Sequence, residues 1–463
     1  MKKLEFLFLF LIVILTIVPR MILLETDNSI SDELKNSYNN YYLTQYDSWY
    51  YYKEAKHPTE TNFMIYSNII AHKVFGGNDL MQTLKYVNLF YMCLAAISLY
   101  FLIKLYVKNN MFAFFGAILF SLNFKIIMNT YFGYVDTDSL ILLFSIIIIY
   151  FQIKAKEVEN TKTNLKYLII LILLIVLFDL TWKGFFYIIL IILLAFALNL
   201  KNNLLKILLF MFNVWWFVLT FDRSIIYLSY PLSIVSEIQK ESIYYMLIYV
   251  VPILYIIYLR FKYKEFKYDL LLVWVVVTFV MGLFATRNII LLIIPTVIIF
   301  MIFLEWLLNH IKPYQRNIAL VFGCIFIVFS SMIIQIPRQT LTPMDDTVVD
   351  AMSLIGNKTI VAWWDYGSLY KALDKKVMYS NTPMQSFEMY EFLNFISQDD
   401  WQAEYKYNKE SYVLVINQDD LRRLSQFINF TEDSLIYNIQ DKNCVRGKIK
   451  WVCFQEMGLT PDI

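Results

Sequence analysis

Tyr134-Val135-Asp136-Thr137-Asp138 runs without a break into Ser139-Leu140-Ile141-Leu142-Leu143-Phe144 and on to Lys154, a stretch apolar and long enough to cross a bilayer as a helix. Two carboxylates two residues apart therefore stand at the head of a membrane span. In an extended or turn conformation Asp-X-Asp directs both carboxylates at one hard cation, and Mg²⁺ or Mn²⁺ prefers oxygen ligands. An acid ahead of an apolar helix also suits an N-cap, and Asp138 fits that role equally.

The same apolar signal repeats along the chain. Beside 138–154, spans fall at about 4–24, 84–107, 111–128, 165–181, 184–200, 203–220, 243–259, 269–285, 288–307 and 317–336. Of the 463 residues, 59% are hydrophobic and 17% charged, with a mean hydropathy of +0.53, so the chain reads as a polytopic membrane protein. A net charge of +2, with no basic stripe apart from the membrane-flanking lysines, excludes nucleic acid as a partner. His57, His72 and His310 are scattered and no CxxC pair occurs, so the sequence carries no zinc pattern. The first span follows Lys2-Lys3 and lacks a small-residue cleavage site, which makes it a retained helix with a cytoplasmic amino terminus.

Alternate connections carry Lys108, then Lys156, Lys162 and Lys166, then Lys201 and Lys206, then Arg260, Lys262, Lys264 and Lys267, and finally Lys312 and Arg316. Short basic loops belong on the cytoplasmic side. The opposite face then receives the long loop 25–83, the connection around Tyr131–Asp138, the loop 222–242 and everything after residue 337. Asp47, Asp136, Asp138 and Glu237 all fall on that face. Arg287, between two apolar spans, lies at a depth where an ionisable side chain marks a functional site or snorkels to the interface, and its planar fork suits a phosphate.

The chain divides into a membrane part, 1–337, and a soluble-type part, 338–463. In the latter, helical patterns cover 342–356, 386–404 and 419–429, and strand patterns cover 358–364, 375–380, 411–416 and 449–453, giving a mixed α/β domain. Cys444 and Cys453 flank the turn Arg446-Gly447-Lys448, a spacing that sets them opposite each other on two strands; a disulfide between them requires an oxidising compartment. Trp363-Trp364-Asp365-Tyr366-Gly367 follows the strand pattern. Two indole N–H donors, a carboxylate and a glycine that permits a sharp turn can grip a hydroxyl against an aromatic wall, although adjacent tryptophans also serve as core.

That five-residue string resembles the signature of the oligosaccharyltransferase catalytic subunit family, and the order of the acids agrees with it over nearly the whole chain. The resemblance implies a GT-C type α-helical polytopic fold of about 11–13 transmembrane helices with a C-terminal soluble α/β domain. It implies a plasma (inner) membrane enzyme, multi-pass, with its carboxy-terminal domain periplasmic or otherwise extracytoplasmic. Such an enzyme moves an oligosaccharide, with inversion, from a polyprenyl-diphosphate carrier to the asparagine of Asn-X-Ser/Thr in acceptor polypeptides, as a single subunit among membrane lipid. Carried over residue by residue, Asp47, Asp136, Asp138 and Glu237 are ligands of a divalent metal, Mg²⁺ or Mn²⁺. Asp47 and Glu237 also hold the acceptor amide. Arg287 contacts the donor diphosphate, Trp363, Trp364 and Asp365 form the sequon pocket, and Leu421 and Leu424 match a second acceptor motif loosely. Another GT-C glycosyltransferase, such as a protein O-mannosyltransferase or a lipid A aminosugar transferase, shares the outer acids. A transporter or flippase requires ionisable groups at mid-membrane, and the spans are largely free of them.

Overall fold

The computed structural model describes residues 2–25, 43, 46–59, 61–75, 79–157, 161–197, 250–284, 288–310, 346–355, 359–361, 367–376, 412–417, 444–446 and 451–457. Its membrane part is helical: α1 (Lys2–Glu25), α2 (Tyr46–Lys56), α3 (Phe63–Phe75), α4 (Leu80–Ile103), α5 (Asn110–Ser121), α6 (Phe124–Met128), α7 (Asp138–Glu157), α8 (Thr161–Thr181), α9 (Phe186–Ala197), α10 (Val250–Tyr263), α11 (Phe266–Phe284) and α12 (Ile289–Leu308). Five of these helices are long and apolar enough to cross a membrane, and α5 and α9 are shorter apolar helices. The predicted spans 203–220 and 317–336 lie outside the described residues. Among the described residues the main apolar cluster runs from Phe8 and Ile12 of α1 through Leu99 of α4, Ile146 of α7 and Trp274 of α11 to Ile294 of α12, all buried.

Two local outcomes differ from the sequence reading. The single span expected over 111–128 is broken, because the Asn123 side chain accepts from the Lys125 and Ile126 amides and starts a new helix, α6. Asp47, expected in a loop, lies in the first turn of α2. The spans are also less free of ionisable residues than expected: Arg20 of α1 and Lys85 of α4 are buried.

Polar contacts sort the helix ends into two groups. At one end Lys104 pairs with Glu5 at 2.5 Å, Tyr106 Oη donates to the Lys267 carbonyl at 3.1 Å, and the Glu305 carboxylate accepts from the Lys108 and Asn109 amides at 3.0 and 2.8 Å. The amino end of α1, the α4–α5 and α10–α11 turns and the carboxyl end of α12 therefore share one end of the bundle. The connection 122–137 that leads into α7, the amino end of α4, the carboxyl end of α11 and the amino end of α12 fall at the other. This is the segregation that the lysine pattern predicts.

In the carboxy-terminal part, α13 (Asp346–Ile355), β1 (Thr359–Val361), α14 (Gly367–Ala372), β2 (Tyr412–Asn417), β3 (Cys444–Arg446) and β4 (Trp451–Met457) are described. The sheet order is β1-β2-β4-β3, with β1 and β2 parallel and the other neighbours antiparallel. Cys444 and Cys453 are register partners across β3 and β4, as their spacing predicts. Helix α13 packs on β3 and β4, and α14 leaves the sheet to pack on α2.

Candidate active site at the acid-loop end

The acid loop is built by the sequence just ahead of α7. Gly133 takes φ 100°, a left-handed conformation open to glycine, and turns the chain inward after Tyr131 and Phe132. Val135, Asp136, Thr137 and Asp138 are then all buried, the two aspartates at 5% and 4% exposure. Asp136 Oδ1 accepts from both the amide and the hydroxyl of Thr137, at 2.5 and 3.1 Å, so its rotamer is fixed locally. Asp138 is the first residue of α7, where the helix dipole favours a negative charge.

Four elements hold this loop. From α1, the Arg20 carbonyl accepts from the Phe132 amide at 3.2 Å, while its guanidinium donates to Thr130 Oγ1 at 3.0 Å and to the Ser121 carbonyl at 3.0 Å. From α4, Asn88 Nδ2 donates to the Tyr134 carbonyl at 2.6 Å. From the head of α7, Ser139 Oγ donates to Asn88 Oδ1 at 2.5 Å. From α2, Ser48 Oγ accepts from the Val135 amide at 2.7 Å. Ser48 follows Asp47 and Val135 precedes Asp136, so one hydrogen bond between residues 87 apart in sequence places the two acid-bearing segments side by side.

Helix α2 is anchored in turn at its other end. Glu54 accepts from Lys53 Nζ at 2.7 Å and from the amide and hydroxyl of Thr59 at 2.7 and 2.9 Å, which closes the turn toward α3. Burial pushes the Glu54 carboxyl up, but the Lys53 and Thr59 hydrogen bonds together with the Lys53 charge outweigh it and hold the group below the ordinary glutamate range. Beyond Glu54, Lys56 pairs with Asp374 at 2.9 Å, just past α14. Leu369 and Tyr370 of α14 are fully buried in the same apolar cluster as Trp49 and Tyr51 of α2. Because Gly367 is both the first residue of α14 and the last of the Trp-Trp-Asp-Tyr-Gly string, the α14–α2 packing carries the end of that string to the helix that bears Asp47.

Of the residues read from the sequence, the structure thus brings the Asp47 position, Asp136, Asp138 and Gly367 to one end of the bundle. Glu237, Arg287, Trp363, Trp364, Asp365, Leu421 and Leu424 lie outside the described residues, although α11 and α12 deliver the chain on either side of Arg287 to the same end. Sequence reasoning missed Ser48, Asn88, Ser139 and Arg20. The signal was present, since Asn88 and Arg20 are polar residues inside apolar spans and the two serines each adjoin a candidate acid. The donor set suits a hard divalent cation: two buried carboxylates on a fixed turn, with oxygen ligands only. Among the described residues no three His, Cys, Asp or Glu side chains converge.

Residues 63–238 match the family described as oligosaccharyl transferase STT3, N-terminal, and the match includes the whole acid loop. Over that segment the chain is similar to the N-terminal part of oligosaccharyl transferase STT3. Its fold is similar to that of the archaeal oligosaccharyltransferase AglB from Archaeoglobus fulgidus in complex with an inhibitory peptide and a dolichol-phosphate, with a TM-score of 0.68 and 13% identity, covering 89% of this chain and 69% of that one. The oligosaccharyltransferase of the same organism tethered to an acceptor peptide containing the NVT sequon gives 0.68 at 13% identity over 90% and 69%. ArnT from Cupriavidus metallidurans bound to undecaprenyl phosphate gives 0.52 at 10% identity over 98% of each chain. No curated protein sequence matches.

Proposed function

We propose that this chain transfers an oligosaccharide en bloc from a polyprenyl-diphosphate carrier to the asparagine of Asn-X-Ser/Thr, with inversion and with Mg²⁺ or Mn²⁺. In this reading residues 338–463 form an extracytoplasmic α/β domain, the amino terminus is cytoplasmic, the membrane is the plasma (inner) membrane, and a single subunit suffices. The observation that carries it is the Ser48–Val135 hydrogen bond, which joins the Asp47 helix, ahead of the matched family region, to the Asp136–Asp138 loop inside it. Support also comes from the dolichol-phosphate and the NVT peptide carried by the Archaeoglobus fulgidus structures.

The chemistry follows from the acceptor. A carboxamide nitrogen is a poor nucleophile because its lone pair is delocalised into the carbonyl. Asp47 and Glu237, hydrogen-bonded to the two N–H groups, turn the nitrogen out of conjugation. Its lone pair then forms the N–C1 bond on the face opposite the diphosphate while the C1–O bond breaks and its electron pair leaves with the phosphate. The amide proton passes to one of the carboxylates. Arg287 would neutralise the departing charge. Asp47, Asp136, Asp138 and Glu237 would hold a divalent cation, which when bound supplies charge neutralisation at the diphosphate. In this reading Trp363, Trp364 and Asp365, together with Leu421 and Leu424, take the sequon hydroxyl.

The test uses membranes or purified protein, a polyprenyl-diphosphate oligosaccharide extract and labelled peptides. A glycan-sized mass shift that needs Asn and Thr, appears with Mn²⁺ and disappears with EDTA supports the reading. A second reading, the lipid A aminosugar transferase that the sequence leaves open, keeps a place because the fold is similar to that of ArnT bound to undecaprenyl phosphate over 98% of each chain. A shift in a lipid A acceptor with none in any peptide would establish that one instead.

A further inference from the structure

We infer that Asn88 of α4 is a positioning residue that sets the spacing of Asp136 and Asp138 by pinning both ends of their loop. The inference deepens the proposed reading and rests on those aspartates being metal donors. Asn88 is 2% exposed and lies on a span, where a polar side chain must find partners within the protein. Its amide offers donors on nitrogen and an acceptor on oxygen. The nitrogen meets the Tyr134 carbonyl, which can only accept, so the amide orientation is fixed and the oxygen is left for the Ser139 hydroxyl. Tyr134 and Ser139 bracket Val135-Asp136-Thr137-Asp138 from either side. One side chain on a neighbouring helix therefore spans the loop. The remaining free end, the Val135 amide, goes to Ser48. With both flanks tied to one rigid group, the separation of the two aspartate Cα atoms is fixed before any cation arrives.

A buried Asn–Ser pair that merely satisfied the core would give the same contacts, so the test reads loop geometry and metal affinity rather than activity. Asn88→Asp keeps the shape but, ionised, has no donor for the Tyr134 carbonyl; Ser139→Ala removes one pin only. Ser145→Ala is the control, a buried hydroxyl two turns deeper on α7 whose partners are the Ile141 carbonyl and Tyr187. In metal-free protein in EDTA, amide hydrogen exchange over 131–139 should speed up at least about tenfold in Asn88→Asp, by less in Ser139→Ala, and not at all in Ser145→Ala. Free Mn²⁺, followed by electron paramagnetic resonance, should show a Kd raised about 10–100-fold in Asn88→Asp, the range for outer-shell partners of metal ligands. If Asn88→Asp fails to fold, Ser139→Ala carries the test with the same signs. Wild-type exchange and Mn²⁺ affinity in both variants would overturn the inference and leave the metal reading intact. Absence of Mn²⁺ binding in the wild-type protein would remove both.

Discussion

Replacing a loop acid should separate chemistry from stability. Asp136 and Asp138 are buried at the head of α7, and Asn is close to isosteric with each, so Asp136→Asn and Asp138→Asn should lower glycopeptide formation by at least about 100-fold, the scale for losing a charge-stabilising group. Melting in detergent should change little. Peptide glycosylation with Mn²⁺ alongside a thermal unfolding curve checks both halves. Glu54 behaves in the opposite way, since its partners are structural. Its folded carboxyl lies below the ordinary range, whereas in the unfolded chain it takes up a proton near pH ~4.3. Its contribution is therefore fully present above that pH and is lost as pH falls through the folded value. Glu54→Gln should cost about 1–3 kcal/mol at pH 7, with the gap to wild type closing below about pH 4. A gap that is constant with pH would show that the charge of Glu54 does not matter.

Among the elements, the long apolar helices and the register of the β3–β4 pair were legible because length, hydropathy and the spacing of Cys444 and Cys453 are properties of the local sequence. The acids were legible as types at the head of a span. What brings them together was not, because it depends on single polar atoms contributed by distant helices: the hydroxyl of Ser48, the amide of Asn88, the guanidinium of Arg20. The break at Asn123 was hidden for a related reason, since hydropathy averages over a cap that one side chain makes. The docking of α14 on α2 belongs to the same class and carries its own prediction. Leu369 is fully buried there, and Leu369→Ala should cost about 2–5 kcal/mol locally. Because α14 begins at the glycine of the tryptophan string, loosening it should raise the peptide KM more than it lowers kcat. Steady-state kinetics over a peptide series distinguishes that outcome from a general loss of folded enzyme, which would lower kcat at unchanged KM.

For the molecule as a whole, the two groups of helix ends make a prediction that does not depend on catalysis. His57, just past α2, and Asp374, just past α14, are exposed at the acid-loop end, whereas Lys264 and His310 are exposed at the lysine-bearing end. Contacts between the ends of α1, α4, α11 and α12 fix which positions go together, and under the proposed orientation the basic connections put the second group in the cytoplasm. In a background with Cys93, Cys324, Cys444 and Cys453 replaced by serine, cysteines placed at 57 and 374 should react in intact cells with a membrane-impermeant maleimide. Cysteines at 264 and 310 should react only after permeabilisation. The pairing of 57 with 374 tests the bundle, since α2 and α14 must lie on one side for the Lys56–Asp374 ion pair to form. The side on which that pair appears tests the mechanism. Under the proposed function a diphosphate-linked glycan and an emerging acceptor chain both have to reach the acids, and only a site outside the cytoplasm meets polypeptides that have already crossed the membrane. Labelling of 57 and 374 only after permeabilisation would invert the enzyme and exclude acceptors outside the cell, whatever the loop geometry.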